Sequence, residues 1–145
     1  MPLHLLKLCV GAESIRDLED WIAERLAIRR ARGEKLEHLH RTRMVPKRVA
    51  ELMDGGSMYW IIKGQVAARQ TLLGVRPFTD DEGISRCHIV MDPAVVAVMP
   101  RPHRPFQGWR YLPDAEIPPD LTGGHAMVAE MPEELRRDLR ELGLL

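Results

Sequence analysis

Two cysteines, Cys9 and Cys87, are too few to build a disulfide framework in a chain of 145 residues. The expectation is a reducing compartment, the cytoplasm, with both thiols serving as small buried hydrophobes. No apolar run approaches the roughly 20 residues that cross a bilayer, so no membrane partner is expected. The opening residues, Met1 to Leu8, lack the basic lead and the cleavage site of a signal peptide. Net charge is missing as well: 21 Lys/Arg stand against 21 Asp/Glu. Any electrostatic preference must therefore come from how the charges are distributed.

Complete catalytic and metal motifs are also absent. A nucleotide phosphate loop needs spaced glycines after a strand and a lysine followed by Ser or Thr. Here Gly55-Gly56-Ser57 follows a helical pattern and precedes a strand, which is the reverse order. The six histidines lie at 4, 38, 40, 88, 103 and 125, with no zinc-site spacing. His38 and His40 would share a face only in an extended segment. Cys87 sits between Arg86 and His88, which would activate an exposed thiol, but its apolar strand argues for burial. Asp80-Asp81-Glu82 reads as a solvated loop tip. No metal or cofactor is expected, and no catalytic residue is assigned.

What the chain does have is one domain's worth of ordinary core, with 45% hydrophobic and 29% charged residues over positions 1–145. Residues 1–40 hold 7 basic and 7 acidic side chains, residues 41–110 hold 11 and 6, and residues 111–145 hold 3 and 8. The middle is thus +5 and the end −5. That pattern fits a polyanion-binding face, or two halves that neutralise each other on one surface.

Positions 4–10 read as a central strand. Ser14 caps a helix over 15–31, whose stripe of Ile15, Leu18, Ile22 and Leu26 has helical spacing. Its cationic end suits the helix dipole. Residues 34–42 form a connection with a short strand at its end. Pro46 is placed in the first turn of a second helix buried through Val49, Leu52 and Met53 and stopped by Gly55 and Gly56. Residues 57–63 give the strongest strand signal, with Met58, Trp60 and Ile62 on one face and Tyr59, Ile61 and Lys63 on the other. Residues 66–91 read as a hairpin turning over 77–83, with Cys87, Ile89 and Met91 opposite Arg86, His88 and Val90. A short strand or a helical turn follows at 94–99 and a last strand at 106–112, with an extended proline-rich run at 100–105 between them. A loop fills 113–126, and a terminal helix begins at Pro132. The fold class is α+β: a mostly antiparallel sheet with an N-terminal strand and helix and a C-terminal helix, and barrel closure as an open option.

Cations and rings concentrate in two stretches, 44–75 and 104–111. Lys47 and Arg48 would sit in a helix's first turn, where the dipole disfavours them and an anionic partner would compensate. Lys63, Arg69 and Gln70 interrupt apolar strands, and Tyr59, Gln107, Trp109 and Arg110 add rings, an amide and a guanidinium. Arginine forks hold phosphates and aromatic faces stack on bases. If the two stretches meet, Lys47, Arg48, Tyr59, Lys63, Arg69, Gln70, Gln107, Trp109 and Arg110 form one ligand-binding face for RNA or a nucleotide. The plainer reading puts Trp60 and Trp109 in the core and leaves the cations solvated. Two other functional classes stay open. One is an enzyme acting on a nucleotide or nucleic acid, with Lys63 or Arg69 stabilising charge and His88 or His103 moving a proton. The other is a homodimeric interaction protein.

Several blocks together carry a family resemblance. They are 3–11, Thr42-Arg43-Met44, 55–64, Ala68-Arg69-Gln70, 80–84 and 106–112. Through them the chain resembles the bacterial, largely alphaproteobacterial proteins grouped as domain of unknown function 1489. That resemblance implies no activity and transfers no catalytic residue. Residues 46–56, a short helix ending in glycine before a strand, are similar at the level of fold to PUA-like and ASCH-like domains. These are small barrels that bind RNA or modified bases. In them a basic residue soon follows on that strand, a role that Lys63 would fill.

Overall fold

The extended and helical segments assemble into one curled, seven-stranded mixed sheet carrying a long helix. A computed structural model describes residues 2–121. In chain order the elements are β1 (Leu3–Leu8), α1 (Ile15–Ala31), β2 (His38–Thr42), α2 (Val49–Leu52), β3 (Ser57–Ile62), β4 (Gln65–Thr79), β5 (Ser85–Met91), β6 (Val96–Pro102), β7 (Trp109–Pro113) and a single 3-10 turn at Asp114–Glu116. The strands lie in the order β2-β5-β4-β3-β1-β7, with β6 also on β4. Only β1 and β3 run parallel; the other ladders are antiparallel. The expected terminal helix at Pro132 lies outside the described residues.

Alternation decides which side chains meet. Met58, Trp60 and Ile62 join Leu5, Ile89, Met91 and the helical Leu18 and Ile22 in the larger core. Tyr59 and Ile61 face the other way, into a smaller core with Leu6, Val66 and Val98. Strand β3 is therefore buried on both faces along its whole length. Helix α1 matches the expected span, and Ser14 accepts the Asp17 N–H at its start.

Three expectations need correction. Lys63 is not a strand residue. Ile62 pairs with Gln65, leaving Lys63-Gly64 as a two-residue hairpin turn with φ of 51° and 76°. Positive φ at both turn positions is what the right-handed twist of the flanking strands requires. The second helix is only four residues long. Pro46 lies before it, and Arg48 is its N-cap without a side-chain capping bond, so Lys47 and Arg48 are not first-turn residues. The argument from a helix dipole against two cations falls away.

The third concerns closure. The sheet does not form a barrel, because no ladder joins β2 to β7. It does curl until its far edges approach. The Trp109 indole N–H donates to the Met44 carbonyl just beyond β2, at 2.8 Å. The His40 ring on β2 meets Trp60 on β3 edge-on at 5.5 Å, although two strands separate them in the sheet. Register shifts in β4, between Val66 and Ala68 and between Leu72 and Gly74, accompany the bend. The first half of β4 pairs with β3 and β6, and the second with β5.

Parallel pairing of β1 with β3 depends on Gly56. A Cβ there would collide with the Leu3 and Leu52 carbonyl oxygens, both of them backbone atoms. Gly56→Ala should therefore cost at least about 3 kcal/mol. Urea unfolding checks this, and a variant within about 1 kcal/mol of the parent would contradict the packing.

Candidate functional site

Burial and pairing decide which of the expected ligand residues are free to bind anything. Gln70 is fully buried. Its Oε1 accepts from Trp60 Nε1 at 3.0 Å and lies 3.3 Å from His38 Nδ1, and its Nε2 donates to the Asp92 carbonyl at 2.9 Å. Trp60 and Trp109 are both core, at 2% and 9% exposure. Lys47 and Arg48 are exposed, and their backbone N–H groups donate to the Tyr111 hydroxyl. The Arg48 guanidinium pairs with Glu51 and lies 5.6 Å from the Tyr111 ring.

The opposite face of the sheet carries the rest. Tyr59 is buried beside His4, and burial pushes its hydroxyl up to about 12. Arg69 forks onto Asp120 at 2.7 and 2.6 Å and also donates to Ser57 Oγ. Arg110 stacks on Phe106 at 4.2 Å. Lys63 stands at its hairpin turn, 3.8 Å from Glu13, and Gln107 is exposed in the loop before β7. The structure brings Arg69 next to Tyr59, and Lys47 and Arg48 next to Tyr111. Both stretches reach both faces of the sheet, so the nine residues are divided between them: Lys47 and Arg48 lie by Tyr111, whereas Tyr59, Arg69 and Arg110 lie on the other face.

A different set of cations and rings does converge. Arg41 on β2 lies opposite His88 on β5, and His88 lies opposite Arg76 on β4. Residues directly paired across strands share a face, so the three form one row. Phe78 pairs with Arg86 one step along, and its ring stacks on His88 at 4.5 Å and 19°. The Arg41 guanidinium lies 5.4 Å from the Phe78 ring. Period-two alternation puts these groups outside while Cys87, Ile89 and Met91 point into the core. Burial raises the Cys87 thiol, which leaves it a packing residue.

Two carboxylates organise this face, and each is shared. Glu37, at 5% exposure, accepts from Arg76 at 2.6 and 3.2 Å and lies 3.7 Å from Arg29. Asp80 accepts from Arg86 at 2.5 Å, lies 3.7 Å from Arg41, and takes the Glu82 and Ile84 N–H groups that shape the β4–β5 turn. The hydrogen bond from Arg76 holds the Glu37 carboxyl below its usual range, and that from Arg86 does the same for Asp80. Arg29 also pairs with Glu34, so four guanidiniums share three carboxylates, a small positive excess. His88 registers it: burial lowers its pKa first, and Arg41, Arg76 and Arg29 lower it further. The Arg41 and Arg76 side chains remain 55% exposed. The sequence did hold a signal for this surface, the alternation of Arg41 and Arg43, Arg76 and Phe78, and Arg86 and His88 with apolar neighbours. It is spread over three strands, so no single stretch looks cationic and aromatic.

The concave side holds a second polar group. His38 and His40 lie on one face of β2, and the Nε2 atom of each is buried without a hydrogen-bond partner among the described residues. Gln70 Oε1 can only accept, so His38 Nδ1 carries the proton and its Nε2 is a bare lone pair. Burial, with nearby positive groups, lowers both imidazoles to about 4. Among the described residues no three His, Cys, Asp or Glu side chains are placed to hold a metal ion.

The sign of the resulting pH dependence is fixed. The unfolded chain protonates these histidines near pH 6.5, whereas the folded chain resists until about pH 4. Stability should fall as pH drops through that window, by up to about 3 kcal/mol per histidine. The depressed carboxylates Glu37 and Asp80 lose their contribution only at lower pH, below the ordinary carboxylate range. Urea midpoints between pH 7 and pH 4.5 measure the effect. A flat profile, or one unchanged in a His38→Gln/His40→Gln variant, would contradict the burial of neutral imidazoles.

Set beside known proteins, the chain matches a family model over nearly its whole length. The family model described as "Protein of unknown function (DUF1489)" matches residues 5–145. No curated protein and no solved structure matches. The family blocks fall on the β1 strand, the β3–β4 hairpin, the β4–β5 turn and β7, which together frame the sheet. The chain belongs to the DUF1489 family.

Proposed function

We propose that this protein is a cytoplasmic RNA-binding domain that holds a single strand on the outward face of β2, β5 and β4. The observation that carries the reading is the row Arg41–His88–Arg76 with Phe78 stacked on His88. Guanidiniums on either side of a stacked ring pair supply the two things a single strand needs, phosphate contacts and a stacking surface. Arginine is suited to this because its fork can hold a carboxylate on one edge and a phosphate on another. Arg43, exposed and without a partner among the described residues, follows at the end of β2 and extends the cationic line. A neutral imidazole is also the better stacking partner, and burial, with the surrounding arginines, holds the His88 pKa below its ordinary value. No helix among the described residues is long and apolar enough to cross a membrane.

Fluorescence anisotropy with a labelled single-stranded oligoribonucleotide tests the proposal. Three or four neutralised phosphates should give a salt slope of about −2 to −3. Phe78→Ala should weaken binding about 5- to 100-fold, the range of one lost stacking contact. Arg41→Ala/Arg43→Ala should weaken it about tenfold and flatten the salt slope by one to two. Lys63→Glu/Arg110→Glu should change it less than about twofold, since neither residue lies on this face. Bound phosphates should also raise the His88 pKa by offsetting the arginines around it, which a histidine NMR titration reads. Salt-independent binding, or equal affinity in the Phe78 and Arg41/Arg43 variants, would overturn the assignment.

A further inference from the structure

Strand pairing sets one cation where an apolar side chain is expected. Lys7 on β1 lies opposite Trp60 on β3 and Trp109 on β7, so the three share the concave face of the sheet. Leu3 and Leu5, on that same face of β1, are core residues, and so are both tryptophans. The far side of the curl closes on the same row. The His40 ring on β2 meets Trp60 edge-on at 5.5 Å, and the Trp109 indole donates to the Met44 carbonyl just beyond β2. Lys7 therefore stands half-buried between two indoles that are themselves buried.

No carboxylate answers this ammonium among the described residues. The titratable groups that act on it are the Cys9 thiol and the His40 ring. Burial, and then Asp17 on α1, push the Cys9 thiol up to about 11, so at pH 7 it is protonated and offers no counter-charge. Burial, and then Lys7 itself, lower His40 to about 4, so the imidazole is neutral. A charged amine in neutral surroundings is penalised, and burial holds the Lys7 pKa below its ordinary value. Lys35, Lys47 and Lys63, the other lysines of the chain, are all exposed.

We propose that Lys7 is a nucleophilic amine that condenses with the carbonyl carbon of an aldehyde or ketone. Desolvating a lysine without giving it an acid partner is how a protein obtains a free amine near neutral pH. The neutral Nζ attacks the carbonyl carbon, and a C–N bond forms as the carbonyl π pair moves to oxygen. One nitrogen proton passes to that oxygen through water. The hydroxyl then leaves with the second nitrogen proton as water, which breaks the C–O bond and leaves C=N. Both steps balance without an oxidant or a reductant. The imine is uncharged, so its formation removes the charge that this setting penalises. The site is separate from strand binding, because Lys7 faces the concave side and Arg41, Arg76 and His88 the outward one.

Incubation with propionaldehyde and cyanoborohydride, read by peptide mass spectrometry, tests the assignment. The hydride reduces each imine to a stable secondary amine, so the adduct at every lysine is counted. At about pH 7.5, Lys7 should carry at least about three times the adduct of Lys35, Lys47 or Lys63, because a lower pKa leaves more free amine. That advantage should shrink as pH rises to about 10 and the exposed lysines lose their protons, whereas an advantage of access alone would not vary with pH. Lys7→Met should leave the urea midpoint unchanged or raised, since it replaces an unpaired charge with an apolar chain. Labelling of Lys7 no faster than the other three, or a ratio flat with pH, would overturn the assignment. So would a destabilised Lys7→Met variant, which would reveal a partner for the ammonium.

Discussion

One buried carboxamide fixes more of this molecule than any other side chain. Gln70 has no solvent exposure, and it links Trp60 on β3, His38 on β2 and the Asp92 carbonyl where β5 gives way to β6. Its orientation admits no alternative, since the amide end faces a carbonyl and the oxygen faces an indole N–H. Three consequences follow from that one constraint. The first indole is sealed into the core. The His38 tautomer is set, and its second nitrogen is left without a proton. The curl of the sheet is held, because β2 is tied across to strands it does not pair with. A buried amide with all its bonds made can hold such a geometry, whereas replacing it with an apolar group would leave three partners unsatisfied.

The curl separates two chemistries. On the concave side, neutral imidazoles and tryptophans pack among aliphatic groups under α1. On the convex side of β2, β5 and β4, arginines share too few carboxylates. The chain's 21 cationic residues comprise 17 arginines and 4 lysines, and this face uses arginine alone. A lysine is a compact, strongly hydrated charge and cannot span two partners in one plane. Glu37 and Asp80 are each shared between two guanidiniums, which in both cases meet at one carboxylate oxygen.

Much of the scaffold was legible in the residues. Helix α1 announced itself through its capping serine and its stripe, and β3 and β5 through alternation that the two cores reproduce. Lys63 misled because a hairpin turn with positive φ ordinarily advertises itself with Asn or Gly at that first position, and here only Gly64 does. Strand β4 runs on through Pro77 to Thr79, past the point where proline and polar residues suggested a turn. The reason is positional. The β3 ladder ends at Thr71, so on that side the later part of β4 has no strand partner among the described residues, and proline's missing N–H breaks no ladder there. The proposed ligand face was harder still. Cations beside aromatics in sequence were split by the sheet, whereas Arg41, His88 and Arg76, each unremarkable in its own segment, became neighbours only through pairing.

That last point bears on why the positive excess persists. A surface tuned for stability alone would match each guanidinium with its own acid. Surface pairs of this kind contribute only about 0–1 kcal/mol each, so stability gives little reason to crowd four arginines around three carboxylates. Burial lowers the His88 pKa first and the neighbouring arginines lower it further, so the cations oppose an additional positive charge there. The repulsion is tolerable because Arg41 and Arg76 keep more than half of their side-chain surface in water, where it is screened. It would be relieved by an anion arriving from solvent, and the relief would appear as binding energy. An arrangement slightly unfavourable when empty and favourable when occupied is what the proposed strand site requires of the row on β2, β5 and β4.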